Sequence, residues 1–237
     1  MLDILAREAP GYGIQLSNEQ LRQFERYGDL LQEWSNRANL VGDASTEVVQ
    51  RRHFLESIAL GAALREREIM RPDATVLDIG AGAGFPGAAM KIVWPGIRLT
   101  LLEATAKKTA FLSALVESLG WTDTTVLTGR AESLAHDATL RERFDLVVAR
   151  AVAPLATLIE LGLPFARVGG RLVSPKGSRA EAEVAAAAHA LEVLAGRAFV
   201  VPFRVPGPAQ KLVVVLKQGA TPGAYPRRPG IPGKAPL

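Results

Sequence analysis

Asp78 stands two residues before Gly80 in the stretch VLDIGAGAGFPG (76–87), where Gly80, Gly82 and Gly84 alternate with alanine. Glycines at this spacing let a backbone turn through positive φ and approach a ligand closely. Two patterns share the stretch. From Gly82 it fits G-x-G-x-x-G, a dinucleotide pattern; from Gly80 it fits G-x-G-x-G directly after Asp-Ile. The carboxylate separates them. It would repel a pyrophosphate held at the following helix N-terminus, and it would attract a sulfonium ion and an α-amino group. Pro86 also removes an N–H that a phosphate could use. Glu103, 19 positions after Gly84, ends the next apolar run. There a carboxylate can accept both ribose hydroxyls, which suits NAD and S-adenosylmethionine alike and disfavours NADP. No G-K-[ST] is present, which excludes a P-loop. The two acids favour S-adenosylmethionine, with NAD as the second reading.

Such a loop needs a strand before it and a helix after it, and the flanking sequence supplies both. Short β-type runs TVLDI, RLTLLE, TTVLT, FDLVVA, GRLVS, AFVVPF and KLVVVLK follow one another from Thr75. Helical stretches separate them: one opened by Phe85 and Pro86, then AKKTAFLSALVESLG with Gly120 as its cap. PLATLIELGLPFA follows, then SRAEAEVAAAAHALEVLAG with a capping box at Ser178 and Glu181. This alternation predicts an α/β fold with a doubly wound, mostly parallel seven-stranded sheet. Only RVPGPAQ joins the last two strands, too little for a crossover helix, so that hairpin is antiparallel. Before Pro72 the chain reads as helical. Ser17 and Gln20 make a capping box ahead of Leu21, Phe24, Leu31 and Trp34, and STEVVQRRHFLESIALGAAL forms a second helix. The expected organisation is a helical cap over 1–72, a nucleotide-binding domain over 73–218, and a Pro/Gly-rich tail over 219–237. That tail is expected to be extended or disordered unless something binds it.

Composition narrows the chemistry. The 237 residues are 48% hydrophobic and contain no cysteine, which removes disulfides, thiolate metal sites and cysteine nucleophiles. Three scattered histidines (His53, His136, His189) make no metal site. No apolar run approaches the ~20 residues of a membrane span, and the N-terminus does not read as a secretion signal. The expectation is a cytoplasmic monomer without membrane contact. The net charge of +4 is uneven: from Val193 onward there are seven basic residues and no acid, and the remainder is net −3. A basic end on such a body suits a polyanionic partner.

Further residues fall at strand ends. GRAESL follows the third strand, where Ala131 and Glu132 are candidates for the adenine edge, with a surface acid at a helix start as the other reading of Glu132. VVARAVAPL follows the fourth, where the acceptor should meet the methyl group. It has no Asn-Pro-Pro-Tyr turn for an exocyclic amine. Arg150 in this stretch needs an anion: Asp78, the cofactor carboxylate, an RNA phosphate, or a purely structural acid.

Several stretches together resemble one family, the bacterial small-subunit ribosomal RNA guanine-N7 methyltransferases, also called glucose-inhibited division protein B. They are NLVGD, RRHFLESIAL, VLDIGAGAGFPGAAMKIVWP, LLEATAKKTAFL, GRAESL, ARAVAPL, SPKG and YPRRPGIPGKAPL, in order from about Asn39 to the C-terminus. HFLES and YPRRPG are more specific than the glycine loop. The resemblance implies a class I Rossmann-like methyltransferase. It implies S-adenosylmethionine at Gly80, Phe85, Glu103 with Ala104, Ala131 with Glu132, and Arg150, and a guanine in 16S ribosomal RNA as acceptor. In SPKG, Ser174 and Pro175 replace the aliphatic residues frequent in the family. Guanine N7 carries no proton, so its methylation needs no general base. In-line positioning is what contributes, by ~7–11 kcal/mol. Arg150 is then the one catalytic candidate. Lys176, Arg179, Arg227 and Arg228 are expected on phosphates, with His53 and Asn39 as candidates near the target loop; a hydrogen-bonded packing residue is the other reading of His53, and a cap of the NLVGD turn that of Asn39. A small-molecule methyltransferase and an NAD-binding oxidoreductase or redox regulator are the competing readings.

Overall fold

The computed structural model describes residues 2–207 and 210–237. Before the first strand come α1 (Asp3–Glu8), α2 (Asn18–Ala38), α3 (Thr46–Val48) and α4 (Glu56–Glu66). A 3-10 turn at Ala9–Tyr12 follows α1, and a π-helical stretch at Val49–Leu55 joins α3 to α4. Strands and helices then alternate: β1 (Thr75–Ile79), α5 (Gly87–Val93), β2 (Arg98–Glu103), α6 (Ala106–Ser118), β3 (Thr124–Thr128), α7 (Ala131–Leu134) and β4 (Phe144–Val148). Next are α8 (Leu155–Gly162), β5 (Ala166–Lys176), α9 (Ala180–Ala186), α10 (Ala188–Val193), β6 (Gly196–Phe203), β7 (Gln210–Lys217) and α11 (Ile231–Lys234).

The seven strands lie in the order β3-β2-β1-β4-β5-β7-β6. β1 to β5 are parallel, and β7 runs antiparallel to both β5 and β6. The order reverses between β1 and β4, so a crevice opens at their carboxyl ends. Side chains alternate across each strand. Val76 and Val148 face α5 and the N-terminal helices, and Leu77 and Val147 face the opposite helical layer. Asp78 shares the Val76 face and therefore points under the start of α5.

The cap and the sheet share one core. Phe24, Tyr27 and Leu31 recur on one side of α2 and are fully buried with Phe54 and Phe111. Each such side chain contributes about 1.5–3 kcal/mol by leaving water. Ser17 and Gln20 form the expected capping box, at 3.2 and 2.9 Å. The Gln20 amide also donates to the Ile92 and Val93 carbonyls at the end of α5, so one side chain starts a helix of the cap and closes a helix of the sheet layer.

Three expectations need correction. The second cap helix is interrupted by the π-helical stretch around His53, a widening typical of functional sites that periodicity cannot reveal. The helix expected over 178–196 breaks at Ala187, because Ala187 and Ala190 are buried where the chain bends to follow the sheet. Its expected Ser178–Glu181 box does not form; Arg179 occupies the cap position without a side-chain bond. The third correction concerns the tail. Arg141 donates to the carbonyls of Thr221, Pro222 and Tyr225. Thr157 donates to Pro232, and α11 packs on α8. The tail lacks a core of its own but docks on one that exists.

Candidate active site at the switch point of the sheet

β1 delivers Asp78 to the crevice, and the glycine loop wraps over it. Gly80, Gly82 and Gly84 all have positive φ, at 66°, 56° and 89°, which non-glycine residues adopt at a cost. The loop is also crowded. A Cβ at Gly80 would lie 2.8 Å from Val152 after β4, and one at Gly84 would lie 2.6 Å from the Tyr27 hydroxyl. The Gly80 and Ala81 N–H groups both donate to the Leu102 carbonyl, fixing the loop to β2.

Asp78 is fully buried. Its Oδ2 accepts the Gly87 N–H at 2.8 Å, and its Oδ1 has no hydrogen-bond partner among the described residues. Burial pushes the carboxyl up to about 7, against the opposing pull of the Gly87 N–H and the charge of Arg150. A buried acceptor left unmatched costs about 1–3 kcal/mol, more when charged. A cationic ligand under the glycine loop would match it. Glu103, at the end of β2, accepts N–H bonds from Gly82 at 3.1 Å and Thr105 at 2.9 Å. Each carboxylate oxygen keeps lone-pair capacity for a ribose hydroxyl. Ala104 beside it is exposed. These donors and acceptors fit S-adenosylmethionine: a carboxylate for the positive end, a carboxylate for the ribose, and close backbone between.

Phe85 is nearly buried between two flat rings. Tyr27 stacks on it at 5.1 Å and 15°, and His53 at 4.8 Å and 13°. The Tyr27 hydroxyl donates to the Ala83 carbonyl in the loop. Arg150, following β4, lies 5.4 Å from the Phe85 ring centre. Its guanidinium donates to His53 Nδ1 at 3.2 Å, to the Arg52 carbonyl at 3.0 Å and to Glu56 at 3.3 Å. Within the chain itself, the acid that Arg150 bonds is Glu56 and not Asp78. Burial and the neighbouring arginine hold His53 down to about 4, so Nδ1 stays free to accept. Burial raises Glu56, and Arg150 partly offsets it.

A chain of about 40% identity fixes the family. The sequence profile described as rRNA small subunit methyltransferase G matches residues 20–212. The ribosomal RNA small subunit methyltransferase G of Roseiflexus castenholzii is 42% identical over 238 residues, covering 100% of both chains. That of Dehalococcoides mccartyi is 44% identical over 228 residues, covering 95% of each. The chain belongs to the small-subunit rRNA methyltransferase G family. Its fold is also that of Aeropyrum pernix fibrillarin, solved with bound S-adenosylmethionine. There the TM-score is 0.51 at 16% identity, covering 69% of this chain and 76% of that one.

Within this methyltransferase fold the structure separates the expected residues into two groups. Asp78, the three glycines, Phe85, Glu103 and Arg150 converge on the switch point. Ala131 and Glu132 sit after β3, both nearly buried. Glu132 accepts from Arg130 and from the Gly230 N–H in the tail, each at 3.0 Å. A cleft of about 1490 Å³ opens beside Pro86 and Arg150, walled by Arg52 and His53 on one side and Lys176 on the other. Lys176 is nearly enclosed there, paired with Glu183 at 2.8 Å. Arg179 is exposed at the cap of α9.

Others lie elsewhere. Asn39 ends α2 in the left-handed conformation, a capping role, and does not line the cleft. Arg227, expected on a phosphate, is instead bound to Glu160: Nε at 2.9 Å, Nη2 at 2.6 Å and the backbone N–H at 2.8 Å. Glu160 is fully buried on α8, so this guanidinium is committed. Arg228 remains exposed. Of the seven basic residues after Val193, Lys211, Lys217 and Arg227 are neutralised by Glu181, Glu142 and Glu160. Charge counting misses such pairing. Tyr27 and Glu56 were not singled out from sequence. The signal for Tyr27 is a hydroxyl on an otherwise apolar helix face. For Glu56 it is the acid inside HFLES.

Proposed function

We propose that this chain methylates N7 of a guanine in 16S ribosomal RNA, with S-adenosylmethionine as donor. When bound, that cofactor supplies an electrophilic methyl group on a sulfonium sulfur. Asp78 holds the cationic end and Glu103 the ribose, and the glycine loop keeps water from both. Arg52, Arg150 and Lys176 present positive charge to the RNA strand entering the cleft, with Arg179 and Arg228 as phosphate contacts outside it. The chain need move no proton, because N7 offers a lone pair. Its contribution is alignment, for which ~7–11 kcal/mol is available. The observation that carries the reading is family membership over the whole chain, joined to the unmatched Asp78 oxygen at the glycine loop. We infer also a cytoplasmic monomer. Radiolabelled methyl donor is offered to intact small subunits, naked 16S RNA and small-molecule acceptors. Label is expected as N7-methylguanine in one of the RNA fractions. Label in neither RNA fraction would overturn the proposal.

A further inference from the structure

Methylation at guanine N7 restricts how the base can be recognised. The common arginine contact to guanine uses O6 and N7 together, and here it would cover the reacting lone pair. The base must therefore be read on its Watson–Crick edge, as extruded bases commonly are. In guanine that edge presents two donors, N1–H and the N2 amine, beside the O6 acceptor. A carboxylate is the side chain that accepts both donors at once.

Among the described residues, Asp43 and Glu56 are the two acids lining the cleft. Asp43 is exposed and bonded to the Ser45 N–H at 2.8 Å. Glu56 has a side chain only 18% exposed, set one helical turn from His53 and held by a single bond from Arg150 to Oε2. Its Oε1 takes no hydrogen bond among the described residues. Arg150 itself stands over Phe85 and bonds Glu56. Acceptor and donor thus lie side by side, 3.3 Å apart, as N1–H and O6 adjoin on the guanine edge.

We infer that Glu56 reads the target base, its carboxylate accepting N1–H and the N2 amine while Arg150 donates to O6. The inference rests on guanine-N7 methylation as proposed above. Adenine has an acceptor at N1 and would face the carboxylate with a lone pair, so the same residue selects against it.

The test compares wild type with Glu56→Ala on reconstituted small subunits carrying guanosine or inosine at the target. Inosine keeps N7, O6 and N1–H and lacks only the N2 amine. Wild type is expected to prefer guanosine by roughly tenfold or more in kcat/KM, the scale of one good base contact. Glu56→Ala is expected to lose at least as much on guanosine, and its preference should shrink to within about twofold. Affinity for S-adenosylhomocysteine should stay at the wild-type level. A Glu56→Ala enzyme that keeps the full preference overturns the inference, whatever its overall rate. If that variant unfolds, Glu56→Gln, which keeps the shape and one acceptor, is expected to retain part of the preference. An unchanged preference in Glu56→Gln also overturns it. Wild type that labels neither substrate overturns the guanine-N7 reading, and this inference with it.

Discussion

Asp78 is a carboxylate whose environment works against its own charge. Its carboxyl sits near 7 in the folded chain, against an ordinary 3.8. The unfolded chain therefore loses this proton at lower pH than the folded one, and stability contributed here falls as pH rises from about 4 to 7. Asp78→Asn removes that penalty. Its melting temperature should exceed wild type at pH 8, and the gap should close toward pH 4. Calorimetry across that range checks the sign. Ligand binding runs the other way. A cation binds the ionised form, so affinity for S-adenosylmethionine should weaken below pH 7, by up to about tenfold per unit. Titration calorimetry should show this slope in wild type and its absence in Asp78→Asn. The same measurement at His53, held near 4, predicts no further inflection between pH 6 and 8. Asp78 was legible in the sequence because its charge and its place before Gly80 are local facts. The Glu56–Arg150 pair was not, since it joins residues 94 apart in the chain.

At the scale of elements, the glycine loop is gripped from both sides. Tyr27 of α2 bonds Ala83 and stacks on Phe85, and Val152 touches Gly80. Gly84→Ala would place a methyl 2.6 Å from the Tyr27 hydroxyl at a φ of 89°. It should destabilise by about 1–3 kcal/mol and weaken cofactor binding, read by urea unfolding and calorimetry. Tyr27→Phe keeps the stack and loses only the hydrogen bond, so about 1 kcal/mol is expected. All seven strands were legible, because their apolar runs are short and punctuated. So was the start of α2, where Ser17 and Gln20 bond within one turn. The break at Ala187 was not, since an alanine-rich run has high helix propensity throughout. Burial against the sheet, not local preference, bends it there.

The whole molecule is sealed by its tail. Arg227 neutralises the buried Glu160, Gly230 holds Glu132, and the Thr221 N–H meets Glu142, which also holds Lys217. Arg227→Ala leaves a buried carboxylate unpaired and should cost about 3–5 kcal/mol. Arg228→Ala, on the exposed neighbour, should leave thermal stability unchanged. It should reduce the salt dependence of RNA binding by about one phosphate contact. Composition made the tail look unstructured because proline and glycine cannot build a core alone. Whether a partner carboxylate waits on another element is not written in those residues.

The Glu160–Arg227 pair spans 67 residues, and that separation is also an interval of time. At ~5–20 residues per second of synthesis, Arg227 is made about 3–13 s after Glu160. Until then the carboxylate has no counter-ion, and settling α8 fully against the sheet would bury an unpaired charge. The face carrying Glu132 and Glu160 is therefore the last to close as the chain is made. The opposite face, with Asp78 and the cap, takes its last core residues, Leu212 and Val214, from β7 and needs nothing from the tail.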